Sequence, residues 1–236
     1  MEEPDNTITN SLKAEVDHEP LDVLKSYSYC YIFDAIEDVP DKWFERAIGI
    51  VSAKRRIKAL SYINPLDQKL SILAELLLLY ALYQEGVVGS LPEISEGSYG
   101  KPYFKKYPSL YFNISHCPKS VACVICDTPV GVDVENSDFY SPDIARMVLS
   151  EYEMKNVCAA ESPEQEFSRY WTMKESYLKY LGTGLCDNMS TLFNTIQGVH
   201  FQTTYYSKGY TCSVCTDNEH VCKTPVLLPL NSLLEI

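Results

Sequence analysis

No apolar run in this 236-residue chain approaches the ~20 residues that a bilayer-crossing helix needs, so no membrane span is expected. Positive charge is scarce too: 20 Lys and Arg stand against 32 Asp and Glu, a net charge of −12. General nucleic-acid binders carry a basic surface, so no nucleic-acid partner is expected. Motifs of three large enzyme classes are missing. Pro102 follows Lys101 and no Gly stands at the required offset, which removes a P-loop NTPase. The absence of G-x-G-x-x-G after a strand argues against a dinucleotide fold, and the absence of G-x-S-x-G against a serine-hydrolase elbow. Residues 1–22 have neither a basic n-region nor an apolar h-region. With an odd count of nine cysteines, that predicts reduced thiols in the cytoplasm.

Two C-x-x-C spacings, Cys123 to Cys126 and Cys212 to Cys215, raise the alternative of a zinc-held interaction protein. Both lie in continuous β-type runs, where positions i and i+3 face opposite sides. Core thiols are therefore the expectation.

Residues 1–25 read as a loose acidic leader. A β-type run, Tyr27 to Phe33, comes next. One helix is expected from Pro40 to Leu60 and another from Pro65, with a dense apolar run from Leu70 to Leu82. Gly86 and Gly89 close it, residues 90–108 read as a long loop, and strands follow near Leu110–Ile114 and Val121–Cys126. The pattern then repeats: a strand at Val130–Val134, helices at Pro142–Ala159 and Gln165–Leu181, and strands near Val199–Tyr206 and Tyr210–Thr216. The predicted fold class is α+β, two similar β-α-α-β-β halves, 26–127 and 128–236, with a cleft between them as a favoured ligand site.

Three segments carry chemistry. In Gly131-Val-Asp-Val-Glu135, Asp133 and Glu135 leave a strand on one face, with Val132 and Val134 on the other. Adjacent carboxylates repel unless a cation or proton relieves them, and hard oxygen ligands suit Mg²⁺. An ordinary half-exposed strand with acidic outer residues has the same pattern. In Trp171-Thr-Met-Lys-Glu-Ser-Tyr-Leu-Lys179, Glu175 and Lys179 share a helix face. They form either a surface ion pair or a third metal ligand beside a phosphate-facing lysine. In Phe112-Asn-Ile-Ser-His116, Ser115 and His116 end a strand, as a polar terminus or as a phosphate binder.

Together with Gly100-Lys-Pro102, these segments stand in an order and spacing that resembles 4′-phosphopantetheinyl transferases of the surfactin-synthetase type, over about residues 52–216. The resemblance implies a pseudo-dimer of the two halves with the active site in the cleft between them. It also implies coenzyme A as co-substrate, Mg²⁺ (with Mn²⁺ as a substitute), and an acyl or peptidyl carrier protein as partner of a monomeric enzyme. Asp133, Glu135 and Glu175 resemble the acidic metal set, Lys179 the lysine on the coenzyme A phosphates, and Glu175 the candidate base. Lys101, Ser115 and His116 resemble further coenzyme-binding residues. Ser52-Ala-Lys-Arg-Arg-Ile-Lys58 resembles the family's early basic segment, which grips the 3′-phosphate; Arg55 and Lys58, with Ser71 on the next helix, take those positions. Arg55 departs from the usual lysine. By analogy the carrier docks around 137–153 through Phe139, Met147 and Leu149, with Arg146 as a local charge. A non-catalytic relative that only binds coenzyme A is the remaining alternative, and the intact set Asp133, Glu135, Glu175 and Lys179 argues against it.

Overall fold

Two of the segments expected to be single helices each break once, and both breaks have a cause in the sequence. The computed structural model describes residues 29–86, 91–184, 189–194, 196–219 and 224–234. The expected leader and Gly89 lie outside them. After strand β1 (Tyr29–Phe33), the segment from Pro40 forms α1 (Asp41–Ile50) and α2 (Ala53–Leu60) instead of one helix. Val51 is extended, and the Ser52 hydroxyl caps α2 by accepting the Arg55 N–H at 3.2 Å. The segment from Pro142 divides likewise into α4 (Pro142–Val148) and α5 (Glu151–Ala159). There Ser150 and Glu153 form a capping box, each side chain bonding the other's backbone N–H.

Between these pairs run α3 (Pro65–Gln84), β4 (Tyr111–Cys117), β5 (Ser120–Cys126) and β6 (Val130–Asn136). The expected long loop holds a short hairpin, β2 (Ile94–Glu96) with β3 (Pro102–Phe104). α6 (Pro163–Leu181), β7 (His200–Tyr206), β8 (Tyr210–Thr216) and a two-residue β9 (Val226–Leu227) complete the order. No helix among the described residues is long and apolar enough to cross a membrane.

The strands form two larger sheets, ordered β4-β5-β1-β9 and β6-β8-β7. One face of the first packs on α1 and α3 through Phe33, Trp43, Leu73, Leu77 and Ile125. Its other face meets the second sheet through Ile32, Val124, Val132, Val134 and Val214. α6 covers the far side of the second sheet, with α4 and α5 beyond it. The mixed α+β class is as expected.

Cys123 packs toward the helices of the first core, whereas Cys126 packs between the sheets, so one metal ion cannot hold both. All seven cysteines among the described residues are free, and all but Cys158 are buried. Both C-x-x-C pairs are thus buried thiols, as expected.

β4 and β6 run side by side as edge strands of different sheets. Asn113 Oδ1 accepts the Val132 N–H at 2.9 Å, and Ser115 Oγ accepts the Val134 N–H at 3.3 Å. Two side chains on one face of β4 thus satisfy strand N–H groups that a backbone ladder would otherwise bond. The candidate site sits on this seam.

Candidate active site

Three stripes divide the surface of α6. Phe167, Tyr170, Lys174 and Leu178 are buried, the three apolar ones in the core shared with α4 and α5. Ser168, Thr172 and Ser176, spaced i, i+4, i+8, are the buried hydroxyls. Ser168 bonds Thr211 at 2.6 Å and Thr172 bonds Ser213 at 2.7 Å, so this stripe lies on β8. Trp171, Glu175 and Lys179 form the third stripe. The helix is built to hold that stripe in place. Ser162 caps it and Pro163 occupies its first turn, while Gly182 ends it in the left-handed conformation, at φ 73°.

The small residues let helix and strand approach closely. A Cβ on Gly131 would overlap the Ser176 carbonyl oxygen and the Tyr180 nitrogen and stand 3.0 Å from the Lys179 carbonyl carbon. Only glycine fits there, and the approach brings Lys179 to Asp133. Lys179 Nζ donates to Asp133 Oδ1 at 2.6 Å and to Ser115 Oγ at 2.8 Å. Ser115 in turn donates to Asp133 Oδ1 at 2.9 Å. With the Val134 N–H also on its oxygen, the Ser115 hydroxyl has its one donor and both lone pairs engaged.

Four groups expected at the site are therefore gathered: Ser115, Asp133, Glu175 and Lys179. The charge among them is unbalanced. Burial, and then the Asp133 charge, pushes the Glu135 carboxyl up to about 7, with Lys179 opposing and Glu175 adding. Burial and Asp133 also raise Glu175, again against Lys179. Asp133 Oδ2 and Glu175 Oε1 are buried without a hydrogen-bond partner. An unsatisfied buried oxygen costs about 1–3 kcal/mol, so both favour an incoming cation. Among the described residues, no three His, Cys, Asp or Glu side chains converge closely enough to enclose a metal ion by themselves. Mg²⁺ does not require that, since one or two carboxylates plus phosphate oxygens commonly hold it. The hard-oxygen donors and the two orphaned oxygens fit such an ion.

A cleft of about 280 Å³ opens beside this cluster, lined by Tyr99, Lys101, Asn113, Glu175, Lys179 and Gly184 among others. Ser115 and His116 point apart, as neighbours on a strand must. Ser115 is buried in the carboxylate network, while solvent reaches the His116 ring. Protein crowding holds the His116 pKa down, as do Lys179 and then Arg55, with Asp67 opposing. The charges of Arg55 and Lys179, from opposite ends of the chain, thus act on one imidazole.

The early basic segment is only partly assembled. Arg55 Nε donates to Glu75 Oε2 at 3.1 Å, and its Nη1 to Ser71 Oγ at 3.4 Å. Lys58 is exposed on α2. Glu75, just 4% exposed, also accepts the Ser52 N–H at 2.6 Å, and sequence reasoning missed it. A single carboxylate inside the apolar run Leu70–Leu82, four residues after Ser71, was the available signal.

Lys101 lines the cleft, but its ammonium is bonded to the protein itself. Its ammonium donates to the carbonyls of Tyr180 at 2.8 Å and Val130 at 3.1 Å, tying the end of α6 to the start of β6. Burial lowers its pKa from 10.5 to about 8. The unfolded chain therefore holds more protons than the folded one between these values, and stability rises with pH across that window. Lys101→Met should remove this rise. In urea unfolding, wild type should gain on the variant between about pH 8 and about pH 10.5.

The carrier surface expected at 137–153 needs one correction. Leu149 is 5% exposed and packs into the core of α4, α5 and α6, so it cannot serve as a docking contact. Phe139 and Met147 are exposed, and Arg146 is paired with Asp143 three residues away.

Comparison with known proteins closes the question of family. A family model described as the 4′-phosphopantetheinyl transferase superfamily matches residues 129–224, which include the acidic strand and all of α6. The 4′-phosphopantetheinyl transferase gsp of Aneurinibacillus migulanus is 31% identical over 185 residues, covering 70% of this chain and 76% of that protein. The chain belongs to the 4′-phosphopantetheinyl transferase family. A 4′-phosphopantetheinyl transferase of Bacillus subtilis is 31% identical over 150 residues, 60% of this chain. The match spans 64% of that relative's length, just under two thirds. An L-aminoadipate-semialdehyde dehydrogenase-phosphopantetheinyl transferase of Candida glabrata is 29% identical over 152 residues, 60% of this chain and 58% of that protein. Within this family, Asp133, Glu135, Glu175 and Lys179 all fall in the segment that the superfamily model matches.

Proposed function

We propose that this protein transfers 4′-phosphopantetheine from coenzyme A to a serine of an apo acyl or peptidyl carrier protein, with Mg²⁺. The observation that carries the reading is the cluster of Asp133, Glu175 and Lys179, with two orphaned carboxylate oxygens, beside a cleft in a chain of this family. The two halves, 26–127 and 128–236, form a pseudo-dimer around that cleft. Sheet order supports this. In β4-β5-β1 and in β6-β8-β7 alike, the last strand of the half lies between its first and second long strands. Each half also places three helices after its first strand.

In the reaction, the carrier serine oxygen forms a bond to the β-phosphorus of coenzyme A. The bond to the bridging oxygen breaks, and 3′,5′-adenosine bisphosphate leaves. Asp133 and Glu175, which carry the two unpartnered oxygens, would hold Mg²⁺ with Glu135 nearby, and the ion when bound supplies positive charge to the phosphate oxygens. Lys179 has one ammonium N–H beyond its two bonds and turns it to phosphate. The serine proton goes to the Glu175 oxygen that the ion leaves free, and burial raises the basicity of that carboxyl. Arg55 and Lys58 meet the 3′-phosphate, with His116 between them and Lys179.

Incubation with coenzyme A, Mg²⁺ and a panel of apo carrier proteins, read by intact mass, tests this directly. No phosphopantetheine gain on any carrier rejects it. A readout independent of turnover is thermal. Mg²⁺ with coenzyme A should raise the Tm of wild type, by ~2–4 °C for each kcal/mol of binding, and Asp133→Asn should abolish the Mg²⁺-dependent part. Equal Mg²⁺ shifts in both proteins would place the ion elsewhere.

A further inference from the structure

Lys101 reaches from the β2–β3 hairpin to the two elements that carry the acidic cluster. The hairpin itself is anchored on the first sheet: Phe104 is buried and stacks on Phe112 of β4, with ring centroids 4.4 Å apart. The Gly97 N–H donates to the Lys101 carbonyl at 2.9 Å and closes the hairpin turn. From this fixed point the Lys101 stem packs against the turn that ends α6, where a Cβ on Gly182 would stand 2.9 Å from the Lys101 Cδ. The ammonium then bonds the carbonyls of Tyr180 and Val130. The Tyr180 carbonyl belongs to the last turn of α6, which leaves it without a partner inside the helix, and a cation suits that end. Both bonds fall next to site residues. Tyr180 directly follows Lys179, and Val130 lies three positions before Asp133 on β6. Gly131 sets how closely α6 can approach β6, but steric contact only limits the approach. The Lys101 ammonium supplies an attraction to both elements at once.

We infer that Lys101 is a positioning residue for the transfer step: by holding the end of α6 on the start of β6, it fixes where Lys179 and Glu175 stand relative to Asp133. The inference rests on the transferase reading of the cleft. Catalysis by placed charge is sensitive to such a contact, because a displacement near 1 Å can cost about 100-fold in rate. Two of the three ammonium N–H groups are engaged by the protein, so a coenzyme contact through the third is the competing role. The two roles differ in what they change. Holding the cluster acts on kcat, whereas a coenzyme contact acts on the binding of coenzyme A.

Lys101→Met keeps a stem against Gly182 and removes the donors. It should lower kcat about tenfold or more, while the dissociation constant for coenzyme A, measured with Mg²⁺ and without acceptor, stays within about twofold. Amide exchange at Tyr180 and Gly182, in the last turn of α6, should quicken. Lys101→Arg keeps the charge and the donors and should retain kcat within about threefold. In a wild type that transfers, an unchanged kcat in Lys101→Met overturns the positioning role alone, and a fall in stability without that loss would make Lys101 a staple of the fold only. A dissociation constant for coenzyme A raised about tenfold, with kcat kept, would make it a coenzyme ligand instead. Equal loss of kcat in both variants would assign the placement to the stem and not to the ammonium. A wild type that modifies no carrier overturns both this proposal and the transferase reading.

Discussion

Lys174→Met should lower stability by about 3–5 kcal/mol, because it leaves a buried carboxylate without its cation. Lys174 has no exposed surface. Its ammonium donates to Glu153 Oε2 at 2.8 Å, to the Val148 carbonyl at 2.8 Å and to the Met189 carbonyl at 2.7 Å. One side chain therefore ties α6 to the end of α4, to the capping box of α5 and to the turn that begins at Met189. Glu153 Oε2 also accepts the Ser150 N–H at 2.7 Å, so the lost charge disturbs that cap as well. Urea unfolding measures the loss. The double variant Lys174→Met with Glu153→Leu should recover much of it, since removing both charges of a buried pair is far milder than removing one. A single-variant loss below about 1 kcal/mol would mean that water or another cation reaches Glu153.

Lys174 stands next to Glu175 in the sequence, yet its role was not legible there. Its three partners lie 15, 21 and 26 residues away, and no local pattern announces such a convergence. Glu75 was hidden for the same reason, with Ser52 and Arg55 at a distance of 20 residues or more. Local geometry was far more readable. The i, i+2 spacing of Asp133 and Glu135 placed both opposite Val132 and Val134, and those valines do lie in the core between the sheets. The same alternation separated Cys123 from Cys126. The helix breaks were readable in principle, since Ser150-Glu-Tyr-Glu153 is a capping-box sequence inside the predicted helix. Apolar periodicity outweighed it. Leu149 was misplaced because its neighbours Met147 and Arg146 are exposed, while the chain turns at Leu149 and directs that side chain inward. Ser115 was legible as a site residue, but its three bonds to Asp133, Lys179 and the Val134 N–H depend on the β4–β6 seam, a contact between two sheets.

Gly131→Ala should cost about 1–3 kcal/mol or more in stability and reduce any transfer rate about 100-fold. The added methyl meets backbone on α6, at Ser176 and Tyr180, so no rotamer change can relieve it. α6 must move off β6, and it carries Glu175 and Lys179 with it. The 2.6 Å bond from Lys179 to Asp133 would lengthen, and so would the hydroxyl bonds of Ser168 to Thr211 and Thr172 to Ser213. A displacement near 1 Å is enough for a rate loss of that size when catalysis depends on placed charge. Gly49→Ala is the matched control. Gly49 lies inside α1, nothing stands within 4 Å of an added Cβ, and its φ is not in the left-handed region. That substitution should leave turnover unchanged and stabilise the protein by about 0.5–1 kcal/mol, through helix propensity alone. Unfolding and turnover measured on both variants separate the two effects. If Gly131→Ala loses stability but keeps its rate, the close packing of α6 on β6 supports the fold without setting the positions of Glu175 and Lys179.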